Sequence, residues 1–171
     1  MILVACVGNI FLCDDGFGVE VALELSRRPL PPEVVVKDFG IRGFDLAYAL
    51  LDHSGLTILV DACPRGGSPG TVYLIEPEIS ESGEAVALPE THSMNPMRVL
   101  EMVKSMGGAP KRILLVGCEP ADFGPENEGR MGLSDPVQAA VGEAVAMIER
   151  LIQEHTEGRQ PNVHGSEHIF I

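Results

Sequence analysis

The sequence predicts an α/β fold: one three-layer domain on a mainly parallel, twisted sheet of about five strands, with helices on both faces. Two observations carry this. Apolar, β-branched runs alternate with segments of helical period from residue 1 to about residue 155, with no repeat or linker between them. Several of those runs are continuously apolar, as strands covered on both faces must be. The 171 residues fit one domain, a length that buries roughly 70% of the unfolded surface.

Each element follows from its own residues. The run 1–7, Met-Ile-Leu-Val-Ala-Cys-Val, reads as a buried strand; it lacks the basic leader and cleavage site of a signal peptide. Residues 17–28 place Phe17, Val21, Ala22 and Leu25 at helical spacing and stop at Arg27-Arg28 before Pro29. Val34-Val35-Val36 is a short β-branched strand, Phe44 to Leu51 a short helix, and Leu56 to Ala62 a third strand. The cluster Arg65-Gly66-Gly67-Ser68-Pro69-Gly70 is a turn leading into a fourth strand, Thr71 to Ile75. The polar, Glu-rich stretch 77–91 predicts a surface loop, and Asn95-Pro96 a helix start with a capping residue before its first-turn proline. Arg112 to Gly117 is the fifth strand, and 119–134 a long loop rich in Gly, Pro and acids. Ser134-Asp135-Pro136 opens the last helix, whose apolar face is Val137, Ala140, Val141, Ala144, Val145, Ile148 and Leu151. Beyond it, 156–171 has no period and is expected to be a loosely ordered tail.

Composition removes several classes of function. Twenty-five acids against twelve Lys and Arg give a net charge of −13, so nucleic acid and anionic membrane surfaces are repelled. No apolar run approaches the ~18 residues of a membrane span. Cys6, Cys13, Cys63 and Cys118 lack CxxC spacing and suit a reducing cytoplasm. Gly8, Gly16 and Gly18 do not fit G-x-G-x-x-G, Gly-Lys-Ser/Thr is missing, and no G-x-S-x-G elbow occurs, which leaves nucleotide binding and serine hydrolysis without support.

Three residues carry the chemistry. Asp15 lies in the first strand-to-helix loop, where open sheets bind ligands; alternatively it or Asp14 is an acid complementing a helix dipole. Asp61 closes the third strand and so belongs to the same edge, unless it only forms a turn. His92 stands just before a helix and on its own reads as a solvated turn residue. Together, two carboxylates and an imidazole make a three-ligand site with open positions for a borderline divalent ion, or an acid/base pair. The three cysteines near the strand ends, Cys13, Cys63 and Cys118, read chiefly as small buried hydrophobes. Asp38 ends the second strand, and Gly40 and Gly43 allow close backbone approach there or form an ordinary turn.

As a set, these motifs resemble those of the hydrogenase maturation proteases. The resemblance rests on G-N-x-x-x-x-D-D-G-x-G at the start, D-x-G-x-x-G at Asp38 to Gly43, Val60-Asp61-Ala62, and the histidine before a helix. It continues through Gly117-Cys118-Glu119-Pro120 and Gly132-Leu133-Ser134 to about residue 153. It implies an endopeptidase that removes a C-terminal extension from the nickel-loaded precursor of a nickel-iron hydrogenase large subunit. Asp15, Asp61 and His92 match the family's metal-contacting and catalytic residues, and Asp38, with Gly40 and Gly43, its substrate-recognition segment. Where the family more often has D-G-G, this chain has Asp38-Phe39-Gly40. The implied nickel comes with the precursor, so no permanent cofactor is expected, and the implied partner is that precursor. The rival reading is a non-catalytic, nickel-dependent checkpoint that binds the large subunit without cutting it.

Overall fold

Five strands and four helices account for the sequence pattern in a computed structural model that describes residues 1–77, 96–109, 111–124 and 129–158. The strands are β1 (Ile2–Val7), β2 (Val34–Gly40), β3 (Leu56–Ala62), β4 (Val72–Ile75) and β5 (Ile113–Cys118). The helices are α1 (Phe17–Ser26), α2 (Gly43–Asp52), α3 (Pro96–Ser105) and α4 (Asp135–Thr156).

The strands form one sheet in the order β2-β1-β3-β5-β4, parallel throughout except for β4, which runs antiparallel against β5. β1, β3 and β5 are buried at every position, as their unbroken apolar runs require. Their side chains alternate between two cores. Ile2, Val4 and Cys6 join α1 and α4 on one face, while Leu3, Ala5 and Val7 join α2 and α3 on the other. These are the three layers read from the sequence.

The second strand runs four residues past its β-branched start because it bends. Cys6 pairs with Asp38 and Val7 with Gly40, which leaves Phe39 as an extra residue on β2. That bulge turns Phe39 wholly inward, into the core under α2. The fifth strand is shifted by one residue, Ile113–Cys118 in place of Arg112 to Gly117, because Arg112 turns outward to pair with Glu76 at 3.0 Å.

The chain leaves β1 toward one edge, to β2, and leaves β3 toward the other. The strand order therefore reverses between β1 and β3, and the crevice at their carboxyl ends is where such sheets bind ligands. Helix α1 reaches that crevice through Gly18. A Cβ there would lie 2.1 Å from the Val7 carbonyl oxygen and 2.6 Å from that of Val60. Most of the expected surface loop and most of the tail lie outside the described residues.

Candidate active site

The first loop is closed on itself around Asp15. After β1, Gly8 takes φ +146°, and a Cβ at this position would meet the Asp15 carbonyl oxygen at 2.0 Å. Only glycine lets the chain pass so close. The Asn9 amide donates to Asp15 Oδ2 at 2.9 Å and to the Asp15 carbonyl at 3.2 Å, and the Asp15 amide donates to the Leu12 carbonyl at 3.1 Å. A 3-10 turn over Cys13–Gly16 then delivers the chain into α1. Asp15 is left 7% exposed at the carboxyl end of β1.

Asp61 occupies the matching position on β3 and is 8% exposed. Among the described residues its carboxylate accepts one hydrogen bond, from the neighbouring Ala62 amide to Oδ1 at 2.8 Å. Burial pushes Asp61 well above the usual carboxylate range, and the charge of Asp15 pushes it further; the Ala62 amide pulls the other way. Two buried carboxylates so disposed favour a shared proton or a bound cation over two bare charges.

The third element of this edge comes from β2. The Asp38 carboxylate is exposed and accepts the Gly40 amide at 2.7 Å, while Gly40 turns at φ +54° and its carbonyl accepts the Gly8 amide at 3.0 Å. Asp38 and Gly40 thus stand directly beside the Asp15 loop. Gly43 is the first residue of α2, placed there by a tight turn in which its amide donates to Ile41. His92 lies outside the described residues. The helix it precedes, α3, packs with α2 in one core. Gly108, just after α3, packs on Leu51 at the far end of α2, so α3 starts toward the carboxyl edge and ends at the opposite one.

Among the described residues no group of three His, Cys, Asp or Glu gathers as a metal cage. Asp15 and Asp61 nonetheless fit a cation, since each is an oxygen donor, buried, and crowded by the other's charge. The cysteines take the bland reading. All four are free and buried, and burial first of all pushes Cys63 up to about 11 and Cys118 up to about 12, far from thiolate chemistry at neutral pH.

Two acids serve the site from behind; the sequence offered Asp14 only as a helix-dipole acid and Glu119 only as part of the family motif, and in neither case the anchoring role. Asp14 is wholly buried. It accepts the amides of Ala121 (2.8 Å) and Asp122 (3.0 Å), and both the amide (2.7 Å) and the hydroxyl (2.9 Å) of Ser134. Glu119 accepts the Arg65 amide (2.9 Å), the Gly66 amide (3.1 Å) and the Tyr73 hydroxyl (2.8 Å), fixing the turn that follows Asp61. Arg130 continues the clasp, donating from Nε to Cys13 Sγ at 2.9 Å and pairing with Asp122. For Glu119 the available signal was position, an acid directly after a buried strand; for Asp14 it was the adjacent acidic pair in the first loop.

Comparisons with known proteins agree with the fold. A family model described as hydrogenase maturation protease matches residues 19–151. The chain is 31% identical over 154 residues to the hydrogenase expression/formation protein HupD of Rhizobium leguminosarum bv. viciae, covering 89% of this chain and 74% of that one. It is 28% identical over 158 residues to the hydrogenase 2 maturation protease of Escherichia coli K12, covering 90% and 91%. Among solved structures it superposes on the E. coli hydrogenase maturating endopeptidase HybD with a TM-score of 0.69 at 27% identity, covering 92% of this chain and 93% of that one. The hydrogenase maturation protease HycI of Thermococcus kodakarensis KOD1 gives 0.62 at 27% identity, covering 89% and 92%.

Proposed function

The chain belongs to the hydrogenase maturation protease family and is a hydrogenase maturation endopeptidase, and we propose that it removes a C-terminal extension from the nickel-loaded precursor of a hydrogenase large subunit. The nickel belongs to the substrate. Asp15, Asp61 and His92 are the residues proposed to contact it, with Asp38, Gly40 and Gly43 lining the approach of the precursor. One observation supports this above the others: Asp15 bears electrostatically on a buried Asp61 that accepts a single hydrogen bond among the described residues.

The chemistry follows from that pair. A cation arriving between the carboxylates relieves their repulsion and displaces any proton held on Asp61. Asp15, Asp61 and His92 would hold the metal, which would supply Lewis-acid polarisation of the scissile carbonyl or of a water. The protein's part is to hold two oxygen donors rigidly at the crevice, which the closed Asp15 loop and the Glu119-pinned turn after Asp61 do. In this reading the site is completed only by the correct, metal-loaded partner, so unloaded precursor is left intact.

The test is intact mass spectrometry of the precursor, with and without nickel, incubated with this protein. Loss of a C-terminal peptide from the loaded sample alone is the expected result, and Asp15→Asn is expected to abolish it. Binding without mass loss would instead make the protein a checkpoint module.

A further inference from the structure

Large apolar side chains are exposed on this molecule at one end above all. Among the described residues ten are prominent, and six of them, Ile10, Phe11, Ile41, Phe44, Tyr48 and Met131, rise from the loops and helix start at the carboxyl edge of the sheet. Phe44 is 67% exposed, Met131 64%, and Phe11, Ile41 and Tyr48 57% each. They form two shoulders. Phe44 and Tyr48, four residues apart, share the outer side of α2's first turns, with Ile41 in the turn just before the helix, while its Leu46, Ala47 and Leu50 are buried. Ile10 and Phe11 belong to the Asp15 loop, and backbone bonds from the Arg130 amide to Phe11 and from the Cys13 amide to Arg130 bring Met131 beside them. The two shoulders meet the site at the Gly8–Gly40 bond, with Asp15 behind one and Asp38 behind the other.

Exposed apolar side chains scattered singly need no explanation, but a concentration around one crevice marks an interaction site. The net charge of −13 disfavours an anionic membrane as its occupant. The Gly8 amide donates to the Gly40 carbonyl, so the rim is continuous with the Asp15 loop of the site beside it.

We propose that this rim is a docking surface for the folded body of the substrate protein, with the α2 shoulder of Ile41, Phe44 and Tyr48 as its anchor; the inference rests on the function proposed above. Recognition then depends on an apolar patch of the folded precursor as well as on the segment that is cut. Large, exposed aromatic side chains are the type that dominates protein–protein binding energy. Their loss should weaken association without touching the chemistry.

The experiment compares wild type with a Phe44→Ser/Tyr48→Ser double variant, both checked for an unchanged thermal midpoint and for oligomeric state by sedimentation velocity. Binding is measured first, by titrating fluorescently labelled, nickel-loaded large-subunit precursor, and cutting is measured afterwards. The proposal expects Kd and KM to rise at least tenfold in the variant, with kcat at saturation within twofold of wild type. An unchanged Kd overturns it. So does a wild-type dimer that the variant dissolves, which would make the α2 shoulder an interface between copies of this chain. Binding that weakens in the variant while neither protein cuts upholds the docking surface and overturns the protease reading. A wild type that does not bind the precursor overturns both.

Discussion

Asp14 accepts two hydrogen bonds from Ser134, one from the amide at 2.7 Å and one from the hydroxyl at 2.9 Å, across 120 positions of sequence. Ser134 is the residue that caps α4, so the carboxylate beside Asp15 is tied to the start of the longest helix. The same carboxylate holds the amides of Ala121 and Asp122. The acidic pair Asp14-Asp15 therefore divides its work: the first residue anchors the loop and the second faces the crevice.

Asp14→Ala leaves three backbone amides at this junction without their acceptor; Asp14 is wholly buried, while Ala121 and Asp122 lie at the surface. A buried donor left unmet costs about 1–3 kcal/mol and one that water can reach costs less, so the variant should lose about 1–3 kcal/mol in urea unfolding. Asp14→Asn, which keeps one acceptor oxygen, should lose less. An alanine variant as stable as wild type would show that the clasp contributes nothing.

Gly18 sets the distance between α1 and the sheet. The carbonyl oxygens of Val7 and Val60 occupy the space a methyl would need, and both belong to the strands that carry the site. Gly18→Ala must push the helix outward, at a cost of about 1–3 kcal/mol for overpacking a close contact. The matching change at Gly142, whose Cβ would meet nothing within 4 Å, should be neutral or slightly stabilising because it favours the helix. Thermal unfolding of the two variants side by side checks the contrast.

The order of these effects explains what could be read from sequence. Strands such as Ile2–Val7 and Leu56–Ala62 announce themselves because burial on both faces forces continuous apolar runs, and Asp61 is conspicuous for ending one. The antiparallel direction of β4 is not written in Thr71 to Ile75, because direction depends on where the crossover goes rather than on local pattern. Nor is the Asp14 clasp: its partners at 121, 122 and 134 are backbone amides and a serine, donors that any sequence offers. The bulge at Phe39 is hidden for a related reason, since an apolar residue fits a strand whether or not the register slips there.

The buried thiols should be inert. Burial raises Cys6, Cys63 and Cys118, the last to about 12, so all three stay protonated and shielded at pH 8. A disulfide-exchange reagent should count far fewer than four thiols in the native protein within minutes, and all four free cysteines in guanidinium. Rapid reaction of Cys63 in the native state would contradict the closed turn that Glu119 holds beside it.

Asp61 gives stability a pH dependence of definite sign. Its native pKa is raised above the unfolded value near 4, so the native state holds a proton that the unfolded chain has released. Stability is therefore greatest below the unfolded pKa, falls as pH rises toward and through the native pKa, and is level above it. Asp61→Asn keeps an oxygen to accept the Ala62 amide and removes the charge that burial and Asp15 oppose. It should melt higher than wild type at pH 8, by an amount that shrinks toward pH 4. The divalent cation proposed to enter with the substrate has the opposite preference, so nickel should stabilise wild type at pH 8 and leave Asp61→Asn largely unmoved. Parallel pH–stability curves for the two proteins, with or without nickel, would mean that Asp61 is not the strained charge of this site.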